Sequence, residues 1–552
     1  MNSYLYSVPL YVPVLLPVVA AAVGYFVQTK VYKHLLIAVQ VVQVFLAAIL
    51  LARVRTAGAI LERLGGWQAP VGIELALDEI SAPLVLLVTV VFLLLVLFNY
   101  RKLYMVNTFQ FLLVSLQGVM ISLFLTSDVF NVYVLTELTT IIVTVLILFK
   151  RGKPALYNGM VYLMFSILAM AFFLLGIGFV YRTFGVLDFA GITERAAALE
   201  NPRALILPYA LMVTAVGMKA GLLPMFGWLP RAHAAPSAPS MVSALLSGLQ
   251  VKVGIYLFIR LQQMIGLTLD TTGFFLVVGL LTAVSGFLLA ICQRDIKLVL
   301  AYSTVSQIGL IMIGLTSGSV IGFWGGMLHI VNHALFKALL FLTAGLIAKE
   351  YGTRNLDQIR GTFRRMPLVT TAAFLAVLGM TGAPFFNGSI SKYLIESGLA
   401  GGTRWQAAIY LVNFGTMLVF TRYATVFFGR PAARSGGSSV TDRSTRPVDP
   451  WTRVVALVFG AAILGIGLFA GPVMSALFPV ESPLELVSGA TAAGKAVAFA
   501  GTLAAAVTVY LFGVSRLSVL ERVREMSVSF NGMAILMSGF LGVVLVFLFA
   551  TV

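Results

Sequence analysis

Seven ionisable side chains lie where the surrounding sequence is apolar: Glu137, Lys219, Lys252, His329, His333, Lys337 and Lys392. A charged group at the centre of a bilayer costs about 2.5–3.5 kcal/mol, so four lysines and a glutamate cost on the order of 10 kcal/mol before any pairing. Groups that carry such a cost normally face a polar cavity and mark a route for ions or protons. Snorkelling toward the interface suits lysines near span ends, whereas Lys252 and Lys337 sit in the middle of their apolar runs. His329, His333 and Lys337 are spaced i, i+4, i+8, which places them on one helical face over about 12 Å of axis. Histidine titrates near physiological pH and passes a proton through either ring nitrogen. Desolvation brings lysine into the same donor-and-acceptor role. This spacing predicts a relay. Glu137 is the lone carboxylate among these groups. Close to Lys219 it stays ionised and keeps that lysine charged, and separating the two drives the lysine's proton onward. The alternative is a permanent buried pair that only fixes packing.

The elements that position these groups must be membrane helices. Of 552 residues, 60% are hydrophobic and 10% charged, against about 25% charged in a soluble domain. A spanning helix needs roughly 20 apolar residues. Runs of that length fall at 8–27, 34–52, 79–98, 105–126, 129–149, 158–181, 204–223, 241–262, 273–292, 299–316, 320–348, 367–397, 405–428, 453–471, 492–514 and 531–551. The expectation is an all-α polytopic membrane protein with 16 spans. Residues 1–104 hold the first three spans, 105–264 a first five-helix repeat, 265–428 a second, 429–452 a linker, and 453–552 the last three spans.

Alternating sides along that order, with a charge within three residues of a span end counted to the adjoining loop, puts 23 of the 37 lysines and arginines on one side, among them Lys30, Arg101, Lys150, Arg294, Arg364, Arg365, Arg443 and Arg522. Nine, such as Arg53, Arg63, Arg182 and Arg404, fall on the other, and five lie within spans. Positive charge stays on the cytoplasmic side, so the N-terminus faces outward across a prokaryotic inner membrane. The net charge of +17 is distributed as loop anchors and not as a stripe that would bind nucleic acid. One cysteine, Cys292, excludes a disulfide framework, a Cys-ligated zinc site and an iron–sulfur cluster. Residues Met1 to Pro13 lack the basic region and cleavage site of a removed signal and read as the start of the first span. Residues 53–78, with Gly65-Gly66-Trp67-Gln68-Ala69-Pro70, read as an outside loop. Residues 430–450 are rich in Ser, Gly, Arg and Pro and read as a flexible connector. Arg516–Arg524 reads as a short basic anchor.

Two spans carry breaking signals. In the seventh, Lys219 is followed by Gly221 and Pro224; in the twelfth, Gly382-Ala383-Pro384 precedes Lys392. Proline removes a backbone donor and frees a carbonyl. Unpaired backbone at membrane depth is tolerated only in a cavity or against protein, and broken helices are typical of ion-coupled transporters. The breaks lie five spans apart. A five-helix unit repeated in tandem alternates its orientation because five is odd, so spans 4–8 and 9–13 read as an inverted repeat.

Four ordered blocks then carry a resemblance. They are Lys219-Ala-Gly-Leu-Leu-Pro-Met-Phe-Gly-Trp-Leu-Pro-Arg-Ala-His233 running through Pro236, Ser243, Ala244 and Lys252 to Arg260; Asp295-Ile-Lys297 leading to Gln307; His329 to Lys337; and Gly382-Ala-Pro384 with Asn387-Gly388 and Ser391-Lys392. Together they resemble the antiporter-like subunits shared by respiratory complex I, membrane-bound hydrogenases and Mrp-type sodium/proton antiporters. Lysine rather than glutamate at Lys392 favours an L-, N- or Mrp D-like member, and the Gly65–Gly72 loop leans toward the D type. Many relatives have histidine near Phe226 and an acidic residue at Arg231, departures confined to one mouth of the path. The resemblance implies a 14-helix core with two inverted five-helix repeats, leaving two extra C-terminal spans. It implies a hydrated axis in which Glu137 and Lys219 form a switching pair and Lys252 a central relay. His329, His333 and Lys337 would be the link, and Lys392 the way out. It also implies partner subunits of the same complex, some of them homologous.

The reading is an ion-translocating subunit of a larger complex, moving protons and, in an antiporter, exchanging them for sodium. No segment binds flavin, quinone, cluster or metal, and His329 with His333 lacks the further ligands zinc needs. The alternative is a self-sufficient secondary transporter of a small solute or cation, which reconstitution of this chain alone would reveal.

Overall fold

The computed structural model describes residues 8–67, 72–149, 152–234, 238–266, 268–399, 402–431, 448–480, 489–514, 519–525 and 528–552. Of the positions singled out above, residues 1–7, Gln68, Ala69, Pro70, Lys150, Pro236, Arg516 and the linker stretch 432–447 with Arg443 lie outside the described residues.

Each of the sixteen apolar runs is occupied by helix. The first six are α1 Tyr11–Tyr25, α2 Thr29–Ala57, α3 Ser81–Asn99, α4 Asn107–Leu125, α5 Val129–Leu148 and α6 Lys153–Phe184. Then come α7 Pro202–Ala220, α8 Ser240–Gly266, α9 Thr272–Cys292, α10 Ile296–Leu315 and α11 Val320–Tyr351. The last are α12 Pro367–Thr381, α13 Thr403–Ala424, α14 Pro450–Leu468, α15 Gly489–Phe512 and α16 Phe530–Thr551. Thirteen helices among the described residues are long and apolar enough to cross a bilayer; α1 and α12 are shorter apolar helices, and α13 has the length but a more polar composition.

The stretch 53–78 departs from the expected loop. Ile60–Arg63 and Glu74–Leu77 form an antiparallel hairpin. Leu75 and Leu77 alternate into the core while Arg63 and Glu74 pair at its turn end (2.9 Å). Alternation with period two is the strand signature, and two buried leucines are enough here to seat it.

The inverted repeat is visible residue by residue. α5 and α10 each have 20 residues, and α6 and α11 each have 32. They share one offset of 167 residues (Val129 to Ile296, Lys153 to Val320). Gly185 and Gly352 end α6 and α11 at the same offset, both in the left-handed conformation that glycine adopts without strain. Asp128 caps α5 and Asp295 caps α10. Each sits in an isolated antiparallel bridge to a residue sixty positions on, Asp188 and Asn355. Five crossings separate the copies, so they run through the bundle in opposite senses.

α14 packs on α3, α11 and α12 and completes the core. The last two helices straddle the repeats: α15 lies on α13, and α16 lies on α6 and α7. The short helix Val519–Glu525 joins them across the end of α9, where Glu521 pairs with Arg294 (3.0 Å) and Arg524 Nε donates to the Cys292 carbonyl (2.9 Å). The basic segment is therefore tied to protein as well as anchored at the bundle's end.

Candidate functional site

Both expected breaks are present and share a construction. α7 stops at Ala220 because Gly221 turns left-handed (φ 79°), and Leu222 N donates back to the Gly217 carbonyl (2.9 Å). α12 stops at Thr381 because Gly382 turns left-handed (φ 81°), and Ala383 N donates back to the Leu378 carbonyl (2.9 Å). These are the wide-turn closures of a helix C-terminus. Pro224 and Pro384 follow in the non-helical stretches, and the chain resumes as Trp228–Ala234 and Asn387–Ser397. A side-chain carbon at Gly382 would lie 3.1 Å from Lys392 Cδ, so the glycine makes room for the lysine as well as for the turn.

Carbonyls at the two breaks find different side-chain partners. Trp228 Nε1 donates to the Met218 carbonyl (2.7 Å). At the second break Lys392 Nζ approaches the Thr381 carbonyl (3.4 Å). Buried backbone groups need a partner; the Met218 carbonyl takes the indole in addition to Gly221 N–H, and the Thr381 carbonyl takes the lysine nitrogen.

Lys219, Lys252, His329, His333, Lys337 and Lys392 are all buried, the histidines and Lys337 completely. Glu137 is only half-buried, beside the exposed apolar residues Val134, Leu138 and Ile141 of α5. No ion pair joins it to Lys219 among the described residues; Lys219 Nζ instead donates to Thr140 Oγ1 (2.6 Å), one turn further along α5. Their charges still act on each other. The structure thus holds the two groups of the expected switch in the separated arrangement.

In the centre, Lys252 Nζ donates to the Ser247 carbonyl (2.7 Å) and to His333 Nδ1. Ser247 lies in a π-helical turn, Leu246–Gln250, directly before Lys252. Sequence reasoning missed this turn, because no residue pattern separates one π turn from α-helix; such turns recur at functional sites. The His333 and His329 ring centroids are 6.4 Å apart. His329 Nε2 donates to Gln307 Oε1 (2.9 Å), whose amide nitrogen donates to Thr416 Oγ1 (3.1 Å). An amide oxygen only accepts, so Nε2 carries the hydrogen and Nδ1 is free to accept from Ser391 Oγ (2.8 Å). Ser391 immediately precedes Lys392. The row Lys252–His333–His329–Ser391 therefore reaches the second break. Lys337 leaves it: its ammonium turns to α10, donating to the Leu300 carbonyl (2.9 Å) and Ser303 Oγ (2.5 Å). The spacing placed Lys337 on the histidine face of α11, but a long side chain reaches a neighbouring helix.

Several participants were quoted in motifs or passed over without a role. Thr140, Gln307 and Ser391 hold ionisable groups through their side chains, and Ser247 holds Lys252 through its backbone carbonyl, which its residue type does not signal. His233 is fully buried, stacked on Phe341 (4.5 Å), with both ring nitrogens lacking a hydrogen-bond partner among the described residues. Beyond Lys392 lies a cavity of about 490 Å³ lined by Thr381, Gly382, Glu396, Tyr410 and Lys495 of α15. There Tyr410 donates to Glu396 (2.6 Å), and Lys495 Nζ sits 3.7 Å from the Tyr393 ring centroid. Away from the row, Arg260 ties α8 to Asp78 at the head of α3 (2.7 and 2.8 Å). Burial pushes the Asp78 carboxyl up, but the guanidinium and Ser81 outweigh it and hold that carboxyl below the usual carboxylate range.

The chain has relatives of known kind. NADH-quinone oxidoreductase subunit N of Desulforudis audaxviator is 30% identical over 448 residues, covering 76% of this chain and 87% of the relative. The D-type Na(+)/H(+) antiporter subunit of Bacillus subtilis is 28% identical over 427 residues, covering 75% and 85%. A chain of the Mrp complex from Dietzia sp. DQ12-45-1b superposes with a TM-score of 0.75 at 24% identity, over 88% of this chain and 98% of that one. Residues 126–421, more than half the sequence and nearly the whole of both repeats, match the family described as the NADH:quinone oxidoreductase/Mrp antiporter transmembrane family, and the chain belongs to it.

Proposed function

We propose that this chain is the proton-translocating subunit of a multisubunit membrane complex of the complex I-like or Mrp type, working beside homologous antiporter-like subunits. The named relatives are themselves subunits of such assemblies. In this reading Glu137 and Lys219 switch, Lys252 with His333 and His329 carries the proton across the centre, Lys337 branches toward α10, and Lys392 delivers it. Where the complex is an antiporter, sodium moves the other way. The repeats occupy 105–264 and 265–428, with 1–104 and 453–552 as flanking helices about the linker 429–452, and the N-terminus faces outward from a prokaryotic inner membrane.

The observation that carries this reading is the row from Lys252 to Ser391. Lys252 donates to His333 Nδ1, which leaves Nε2 as the nitrogen bearing the hydrogen, and Nε2 has no partner among the described residues. A proton taken at Nδ1 is thus matched by one released at Nε2, toward His329. Buried polar atoms without protein partners are satisfied by ordered water, and Tyr162, Ser166, Gln250 and Ser306 add four such residues within the two repeats.

Replacing Lys252 by alanine in the intact complex, reconstituted in proteoliposomes, tests this. Proton transport should fall by about 100-fold, the scale of a lost proton-transfer group. Unaltered transport overturns the reading.

A further inference from the structure

The 167-residue register sets the two repeats side by side. Tyr162 of α6 stands where α11 carries His329, and Ser166 stands where it carries His333. Thr140 of α5 stands where α10 carries Gln307. In the second repeat Gln307 holds His329 (2.9 Å); in the first, Thr140 holds the Lys219 ammonium (2.6 Å). The second repeat has a histidine relay at these positions. The first has a tyrosine and a serine that no motif singled out.

Tyr162 is 1% exposed. Its hydroxyl and that of Ser166 have no hydrogen-bond partner among the described residues. Thr140, Ser166 and Gln250 lie within reach of the Tyr162 hydroxyl without making a well-formed hydrogen bond to it, and the Glu137 carboxylate acts on it. These groups come from α5, α6 and α8. Gln250 belongs to the π turn that precedes Lys252, and its Oε1 is likewise buried without a partner. The Tyr162 hydroxyl therefore lies between the oxygen that holds Lys219 and the turn that leads to Lys252. A core tyrosine kept only for bulk has no reason to aim a sheltered hydroxyl at this point. Its ring packing against Trp228 (5.1 Å) would be served equally by phenylalanine.

We propose that Tyr162 is a relay residue, the first-repeat counterpart of His329, whose hydroxyl passes a proton between Lys219 on Thr140 and Lys252. In the step, one N–H bond of the Lys219 ammonium breaks as an O–H bond forms on Tyr162 Oη. The hydroxyl's original hydrogen leaves to a water held by Ser166 and Gln250, as that water gives one of its own hydrogens to the unprotonated Lys252 amine, which becomes the ammonium. The phenol is neutral before and after, and no oxidant or reductant takes part. Lys219, Glu137 and Lys252 are the charged groups that bound this segment.

This inference rests on the proposed function, and the experiment separates their failures. Tyr162→Phe keeps the ring and removes the hydroxyl. In the intact complex its proton transport should fall about tenfold, the loss of one hydrogen bond to a charged group, with assembly and thermal stability unchanged. Tyr162→His, which copies the second repeat, should recover transport to within about twofold of wild type, since imidazole also donates and accepts. Wild-type transport by Tyr162→Phe overturns the inference, and so does a loss that Tyr162→His fails to recover. Lys252→Ala measured alongside tells which reading has failed: if it transports normally the function itself falls, and if it is inactive only the role of Tyr162 falls.

Discussion

The two helix breaks are built alike and furnished differently. At Gly221 the lysine precedes the break, its ammonium held by Thr140, and an indole donates to the Met218 carbonyl. At Gly382 the lysine follows the break, lies against the Thr381 carbonyl and faces a cavity of about 490 Å³. The first is buried, with the half-buried Glu137 on the neighbouring helix and no ion pair to it among the described residues; the second opens on a cavity. A duplicated backbone can thus keep its turn while the side chains around it diverge, because the turn needs only glycine and the surroundings are set by the residues near it.

The comparison is broken most easily at its lysines. Lys392→Ala should lower proton transport of the intact complex by about 100-fold, and Lys219→Ala by a similar factor. If one of the two were dispensable in a proton-flux assay, a single path through both breaks would be wrong. Thr140→Val sharpens the contrast, since it keeps the volume and removes the oxygen that holds Lys219 (2.6 Å). A hydrogen bond to a charged group contributes about 1.5–3 kcal/mol, so transport should change by about tenfold or more. The glycines come last. Gly221→Ala and Gly382→Ala both place a side chain at positive φ, costing about 1–2 kcal/mol. Only the second also crowds a lysine, at 3.1 Å, whereas the nearest atom at Gly221 is 3.7 Å away. Melting temperatures of the two variants should therefore fall together while transport falls further, by about two- to threefold, in Gly382→Ala. Equal transport by both would remove the special fit of Lys392 beside Gly382.

Much of this was legible from residue types. Lysine and histidine in apolar runs declared themselves by cost, and glycine with proline marked both breaks. The i, i+4, i+8 spacing put His329, His333 and Lys337 on one face, and that face is buried. What spacing did not convey is where a long side chain ends: Lys337 reaches Ser303 of α10, and Lys219 reaches Thr140 rather than Glu137. The hairpin at 60–77 was read as loop because its strands are four residues each. Tyr162 was passed over because tyrosine in a membrane helix raises no alarm by composition.

The sequence by itself determined that the chain crosses a membrane many times, that its middle is a twice-used unit, and which ionisable groups the bilayer must accommodate. Those follow from transfer free energies and periodicity, which are properties of each segment alone. Only the tertiary structure decided which polar atom each buried group meets, that Lys252 and His333 touch while Glu137 and Lys219 stand apart, and that α15 and α16 straddle both repeats. Such contacts depend on how separate helices approach one another, and no single segment carries that information.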